Sequence, residues 1–234
     1  MYHKGEVSYQ PLPLPDQVQL DPPASLAAAE AFLAYMRKRH SVRDYAPTPV
    51  PEAVIAACIA AAGTAPSGAN HQPWHFVAIS DPAMKARIRD GAEAEERAFY
   101  AGAGGDEWLA ALEPIGTGVT KPHLTDAPWL IVIFAQRYGV TRDGARYKNY
   151  YVPESVGIAT GLLIAAIHHA GLVCLEHTPN PMAFLGPLCG RPASEKPVMI
   201  LPVGYPSATA TVPEVAKRKK PLTEILSVFR PSAG

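Results

Sequence analysis

Residues 129–135, WLIVIFA, carry no polar side chain. Seven residues are too few for a bilayer span, which takes about 20 in a helix. Their β-branched and aromatic content reads as a fully apolar strand. A strand without a polar face belongs in a sheet with helices packed around it. The rest of the chain supplies both kinds of element. Residues 75–80, 172–177 and 198–205 read as further strands. Helices are expected over 25–39 (with Ser25 as cap), over 52–62 between Pro51 and Gly63, from Asp81-Pro82 to about Tyr100, and over 154–170 up to Gly171. The last of these looks buried nearly all round. This interleaving predicts an α+β fold, a mixed central sheet surrounded by helices.

Two stretches stand apart. Residues 1–24 are Pro-rich and non-periodic and read as an extended N-terminal arm, which leaves 25–234 as the domain. Residues 101–128 are Gly-rich, with isolated Trp108 and Leu109, and read as an insertion or lid. Lys+Arg and Asp+Glu number 21 each, so no global field draws the chain to nucleic acid or to anionic lipid. Cys58, Cys174 and Cys189 share no metal or redox spacing and read as buried free thiols in a reducing compartment. With no apolar run long enough to span and no signal-peptide pattern, the expectation is a soluble cytoplasmic protein without membrane partners.

Three segments can carry chemistry. RKRHSVRDY (37–45) sets Arg37, Lys38, Arg39 and Arg43 around Ser41, a set of forks and a hydroxyl suited to phosphate. The same cations also suit a helix C-terminus. APSGANHQPWHF (65–76) offers Ser67, Asn70 and the close-approach Gly68 between two stiffening prolines. It can present backbone N–H groups to an anion or a planar ring, or it can be a polar connector. KRKK (217–220) is a second phosphate candidate or a solvated basic face. No metal set is visible: His168 and His169 are adjacent and face different sides of a helix. No nucleophile motif is present. Ligand-binding groups without a nucleophile point to a cofactor that does the chemistry.

Taken in order, RHSVRDY, APSGANHQPWHF, GLLIAAIHHAGL, LPVGYP and KRKKPL resemble the FMN-dependent nitroreductase superfamily. AAGTAPSGA, GRPASEK, LPVGYPSATATVP and TDAPWLIVIF resemble, more narrowly, its iodotyrosine deiodinase subgroup, flavin dehalogenases of halotyrosines. The resemblance covers about residues 35–226 and implies an intertwined homodimer with two FMN sites at its interface. It places Arg39, His40, Ser41, Val42, Arg43 and Gly68 on the flavin, and Pro66 and Ser67 on it from the other subunit. Ala69 presents its backbone N–H to the substrate phenolate. Glu176, His177 and Thr178 complete the cofactor wall, Thr178 through a hydroxyl on the flavin's reactive central nitrogen, which makes Thr178 and Ala69 the catalytic positions. Arg218 or Lys219 is the late phosphate contact. The chain departs from the pattern at His40, where a second Arg is usual, and at Glu176 and His177, where the deiodinases have threonines.

Glu96 and Tyr100 are four apart, on one face of the expected helix, and Lys121 follows 21 positions later. Spacing alone suits a surface ion pair and a core tyrosine. The resemblance makes the three a substrate triad under a lid at about 91–126, with Glu96 on the α-ammonium and Tyr100 and Lys121 on the α-carboxylate of a halotyrosine. It implies reductive dehalogenation, with NAD(P)H or a reductase restoring the flavin. A general nitroreductase or quinone reductase, a flavin-fragmenting enzyme and a flavin-storage protein are the alternatives on the same fold.

Overall fold

Along β2 (Trp129–Gln136) the pleat sends Trp129, Ile131 and Ile133 to one side and Leu130, Val132 and Phe134 to the other, and all six are buried. The apolar run therefore builds two cores at once. On one side Ile131 and Ile133 meet Ile55 and Cys58 of α2 (Glu52–Gly63) and Leu163 and Ile167 of α6 (Val152–His169). On the other, Leu130, Val132 and Phe134 meet Ile88 and Ala92 of α3 (Pro82–Ala98) and Leu185 of α7 (Leu185–Leu188). The computed structural model describes residues 8–141 and 143–231. Residues 1–7 of the expected arm lie outside them, and residues 8–20 are exposed and without helix or strand.

The central sheet has the order β1-β2-β6-β5, with β1 at Trp74–Ile79, β5 at Val173–Cys174 and β6 at Glu195–Gly204. Its strand pairs are antiparallel, with Phe76 opposite Ile133 and Ile131 opposite Leu201. A parallel bridge from Ser41 to Cys174 adds a mixed edge beside β5. A two-stranded hairpin, β3 (Tyr138–Val140) and β4 (Arg146–Lys148), follows β2. This is the expected α+β architecture.

Several boundaries differ from expectation for local reasons. Helix α1 spans Pro22–Met36 rather than starting at Ser25. Asp21 accepts from the Ala24 N–H at 2.8 Å, and the two prolines fill the first turn, where no N–H is needed. None of its residues is buried, so its Leu26, Phe32 and Leu33 face outward. Helix α6 is not buried all round: Ser155, Val156, Ala159, Thr160, Leu163 and Ile167 pack inward, while Ile158 and Leu162 are exposed. Within 172–177 only Val173–Cys174 forms a strand, followed by a single bridge from His177 to Ile200. Cys189 is only partly buried, unlike Cys58 and Cys174.

The Gly-rich segment is ordered in short pieces. Helix α3 gives way to a π-turn at Phe99–Ala103, where Gly102 has φ 125°. Gly105, at φ 71°, then opens α4 (Asp106–Leu112). A single turn, α5 (His123–Asp126), precedes β2, and α8 (Leu222–Ile225) is the last helix among the described residues. Lys85, buried on α3, donates to the Thr125 and Ala127 carbonyls at 3.1 and 2.8 Å. It thereby fixes the far end of the segment to the near one.

Candidate active site

The loop after α1 is stitched to β5: the Val42 N–H donates to the Cys174 carbonyl at 3.1 Å. Val42 is buried, and its N–H is spent on that bond. Its neighbours point the other way. Ser41 Oγ donates to Glu176 Oε2 at 2.5 Å, and Arg39 Nη1 lies 3.6 Å from Glu176 Oε1. Arg43 reaches the cavity described below. The Glu176 charge is felt beneath the loop. Burial first, and then that carboxylate, pushes the Cys174 thiol up to about 12, and the Tyr45 phenol is also raised, by burial before charge.

Arg39 and His40 also line a groove with Arg37, Lys217 and Lys219. Arg218 lies outside it and pairs with Glu214 at 3.5 Å on the open surface. Lys217 closes a 3-10 turn (Glu214–Lys217) and Arg218 is extended after it, so Lys217 and Lys219 line the groove while Arg218 does not.

The triad converges. A cavity of about 230 Å³ is lined by Glu96, Tyr100 and Lys121 together with Arg43, Glu176, His177 and Thr178. Lys121 Nζ is 3.0 Å from Glu96 Oε2 and 3.0 Å from Thr117 Oγ1. Tyr100 OH donates to the Thr117 carbonyl at 3.1 Å. Tyr100 sits in the π-turn, two residues past the end of α3, yet still shares the cavity with Glu96. Phe99 and Trp108 meet edge to face at 4.8 Å and, with Leu112 and Ile115, give the same cavity an apolar wall. One enclosure thus holds a charge pair, a phenol and an aromatic surface.

The opposite wall is held by β6. The His177 N–H and C=O exchange bonds with Ile200 at 2.9 Å each, which sets Thr178 at the cavity rim. His177 and His123 meet at 5.2 Å between ring centroids, nearly edge to face, and are 7% and 4% exposed. Burial first, then the nearby cations, brings both imidazoles down to about 3, so both are neutral at pH 7.

The turn at 66–72 is not at this cavity; none of its residues lines it. Ser67 Oγ accepts from the Gln72 N–H at 2.9 Å, and His71 Nδ1 is 3.1 Å from Asn149 Oδ1. Ala69, Asn70 and Gln72 have φ of 50°, 54° and 49°, a rare clustering of left-handed non-glycine residues. Gly68 packs so closely that a Cβ there would lie 2.6 Å from the Tyr150 carbonyl oxygen. Pro66 and Ala69 are exposed.

Supporting groups escaped the sequence reading. Glu93 Oε1 accepts from the Lys121 N–H at 2.7 Å and from Arg89 Nε at 2.7 Å, which holds Lys121 in place. The signal was the acidic run on α3, where Glu93 and Glu96 are three apart on one face. Thr117, which orients both Lys121 and Tyr100, sits in a Gly-rich stretch with no periodicity to mark it. Among the described residues, the buried side-chain atoms lacking a partner are Arg39 Nη1, Arg43 Nε, His123 Nε2 and His177 Nε2. All four belong to the residues of this cavity or the adjoining groove. Buried polar atoms are rarely left unpaired, so their concentration here marks a place built for a polar ligand. Also among the described residues, no cluster of three or more His, Cys, Asp or Glu is placed to hold a metal ion, and no helix is long and apolar enough to cross a membrane.

The Nitroreductase family model matches residues 36–205. The chain is 48% identical over 202 residues to an iodotyrosine deiodinase of Haliscomenobacter hydrossis, covering 86% of this chain and 91% of that protein. It is 44% identical over 199 residues to iodotyrosine deiodinase 1 of Homo sapiens, covering 85% and 68% respectively. Its fold is similar to the crystal structure of an oxidized iodotyrosine deiodinase bound to FMN and 3-iodo-L-tyrosine, with a TM-score of 0.69 and 28% identity over 86% of this chain and 99% of that one.

Proposed function

The chain belongs to the nitroreductase family, and on that premise we propose that it is an FMN-dependent reductive dehalogenase of halogenated tyrosine. The carrying observation is the single cavity that joins Glu96, Tyr100 and Lys121 to Arg43 and Thr178. The names of its relatives, and the FMN and 3-iodo-L-tyrosine in the similar structure, support the same reading. The unpartnered nitrogens fit a flavin: Arg43 Nε and Arg39 Nη1 are donors free for ring carbonyl and phosphate oxygens. Arg39, His40, Ser41 and Arg43 would hold the cofactor from one side, and His177 and Thr178 from the other. Of Arg218 and Lys219, Lys219 would join them from the tail, which its sharing of the groove of Arg39, His40 and Lys217 supports.

The overall change turns an aryl halide, two electrons and a proton into arene and halide. Reduced FMN supplies the electrons, and NAD(P)H or a reductase restores it. The protein's own part is recognition and exclusion of water. The Glu96–Lys121 pair is a fixed minus-plus dipole, complementary to the plus-minus ends of an amino-acid zwitterion. Closing the lid on that zwitterion lowers the local dielectric and strengthens every charge contact inside.

Ala69 and the loop at 66–68 complete the site from a second copy of the chain. Supporting this are their absence from this cavity's lining and the exposed apolar residues of α1, α6 and the tail, including Phe32, Ile158, Leu162, Leu222, Ile225 and Phe229. The free thiols suit a reducing cytoplasm. Titration of the apo-protein tests the reading. It should bind one FMN per chain, and 3-iodotyrosine should then quench the bound flavin, whereas a phenol without the amino-acid end should not. Equal quenching by both would remove the zwitterion site from the account.

A further inference from the structure

Glu176 is a carboxylate paired with Arg39 at the edge of a basic groove. It accepts the Ser41 hydroxyl at 2.5 Å, and its other oxygen stands 3.6 Å from Arg39 Nη1. That second distance makes a charge pair but not a hydrogen bond, and Arg39 Nη1 is buried without any hydrogen-bond partner. Nη1 thus has a charge partner but no hydrogen bond. The groove that Arg39 shares with Arg37, His40, Lys217 and Lys219 has no acidic residue in its lining. Glu176 reaches this cluster from the β5 side, and it also lines the substrate cavity.

We infer that Glu176 stands in for the cofactor phosphate on Arg39 and Ser41, and that flavin loading displaces it from them. This rests on the FMN-binding reading above. A phosphate oxygen can approach Arg39 Nη1 at ordinary hydrogen-bond distance, about 2.8 Å, with bidentate geometry that the carboxylate lacks here. The phosphate brings more charge than the carboxylate and wins, but against a resident competitor and a like charge. Glu176 therefore weakens and slows FMN binding while keeping the empty site charge-paired.

The test is a fluorescence titration of the apo-protein with FMN and, separately, with riboflavin, which has the ring but no phosphate. Wild type, Glu176→Gln and Glu176→Thr are compared. Glu176→Gln keeps the shape, and Glu176→Thr is a smaller replacement that puts a neutral hydroxyl in place of the carboxylate. Both variants should bind FMN at least fivefold more tightly and associate faster, with the gain shrinking in high salt. Riboflavin affinity should change less than twofold. Unchanged or weaker FMN binding in both variants would make Glu176 a positioning residue and overturn the inference alone. Equal gains for FMN and riboflavin would overturn it too, because the phosphate would not be what Glu176 replaces. Wild-type protein that binds neither flavin would overturn the functional reading and the inference with it.

Discussion

Lys121 Nζ and Glu96 Oε2 lie 3.0 Å apart, with side chains only 4% and 14% exposed. A pair this well buried is held for a reason other than stability, because desolvating two charges offsets much of their attraction. Its use is to keep a preformed dipole in the cavity. Glu96→Gln keeps the shape and removes the carboxylate proposed to pair with the substrate ammonium. Hydrogen bonds to charged groups contribute about 1.5–3 kcal/mol, so 3-iodotyrosine affinity should fall roughly 10–100-fold, measured by calorimetry on the FMN-loaded protein. FMN affinity should not change.

Gly68 tests the turn. Its missing Cβ would lie 2.6 Å from the Tyr150 carbonyl oxygen, a backbone atom that cannot swing away. Gly68→Ala should therefore shift the turn or the segment before α6, at about 1–3 kcal/mol, as other overpacking does. Thermal unfolding of the apo-protein reads this, and a substitution as stable as wild type would show the loop to be loosely placed.

Acid should destabilise the fold through His123 and His177. Both are held neutral, down to about 3, against about 6.5 in an unfolded chain. Between those values the unfolded chain takes up protons that the folded one refuses, so stability falls as pH drops from about 6.5 toward 3. The slope reaches about 1.4 kcal/mol per pH unit for each histidine. Chemical denaturation at pH 7, 6 and 5 measures it, and His123→Gln combined with His177→Gln should flatten the decline.

Trp108 reports on the lid. It is largely exposed, stacked edge-on against Phe99, and lines the cavity. Ligand binding should bury it, blue-shifting its emission. Trp108→Phe should abolish most of that shift, because Trp129 is already buried in the core and Trp74, on β1, does not line the cavity.

The architecture was legible where one pattern answers to one force. The run at 129–135 had to be an inner strand because nothing in it tolerates water. The Glu96-Tyr100 spacing survived even though the helix ends at Ala98, because the π-turn keeps Tyr100 on the cavity side. What stayed hidden depends on contacts between segments far apart in the chain. Glu93 matters because the Lys121 N–H arrives from 28 residues away. Lys219 separates from Arg218 only when the tail is folded against α1. The apolar content of 25–39 and 154–170 predicts helices but says nothing of what covers them: no residue of α1 is buried, and Ile158 and Leu162 of α6 lie open in the single chain.

The central claim is that this cavity removes halogen from a tyrosine. Reduced, anaerobic protein should be mixed separately with 3-iodotyrosine and with 4-nitrophenol, while iodide release and flavin reoxidation are followed together. One iodide should be released per flavin reoxidised by 3-iodotyrosine, with slow or no reoxidation by 4-nitrophenol. Rapid reoxidation by 4-nitrophenol with no iodide from 3-iodotyrosine would contradict it.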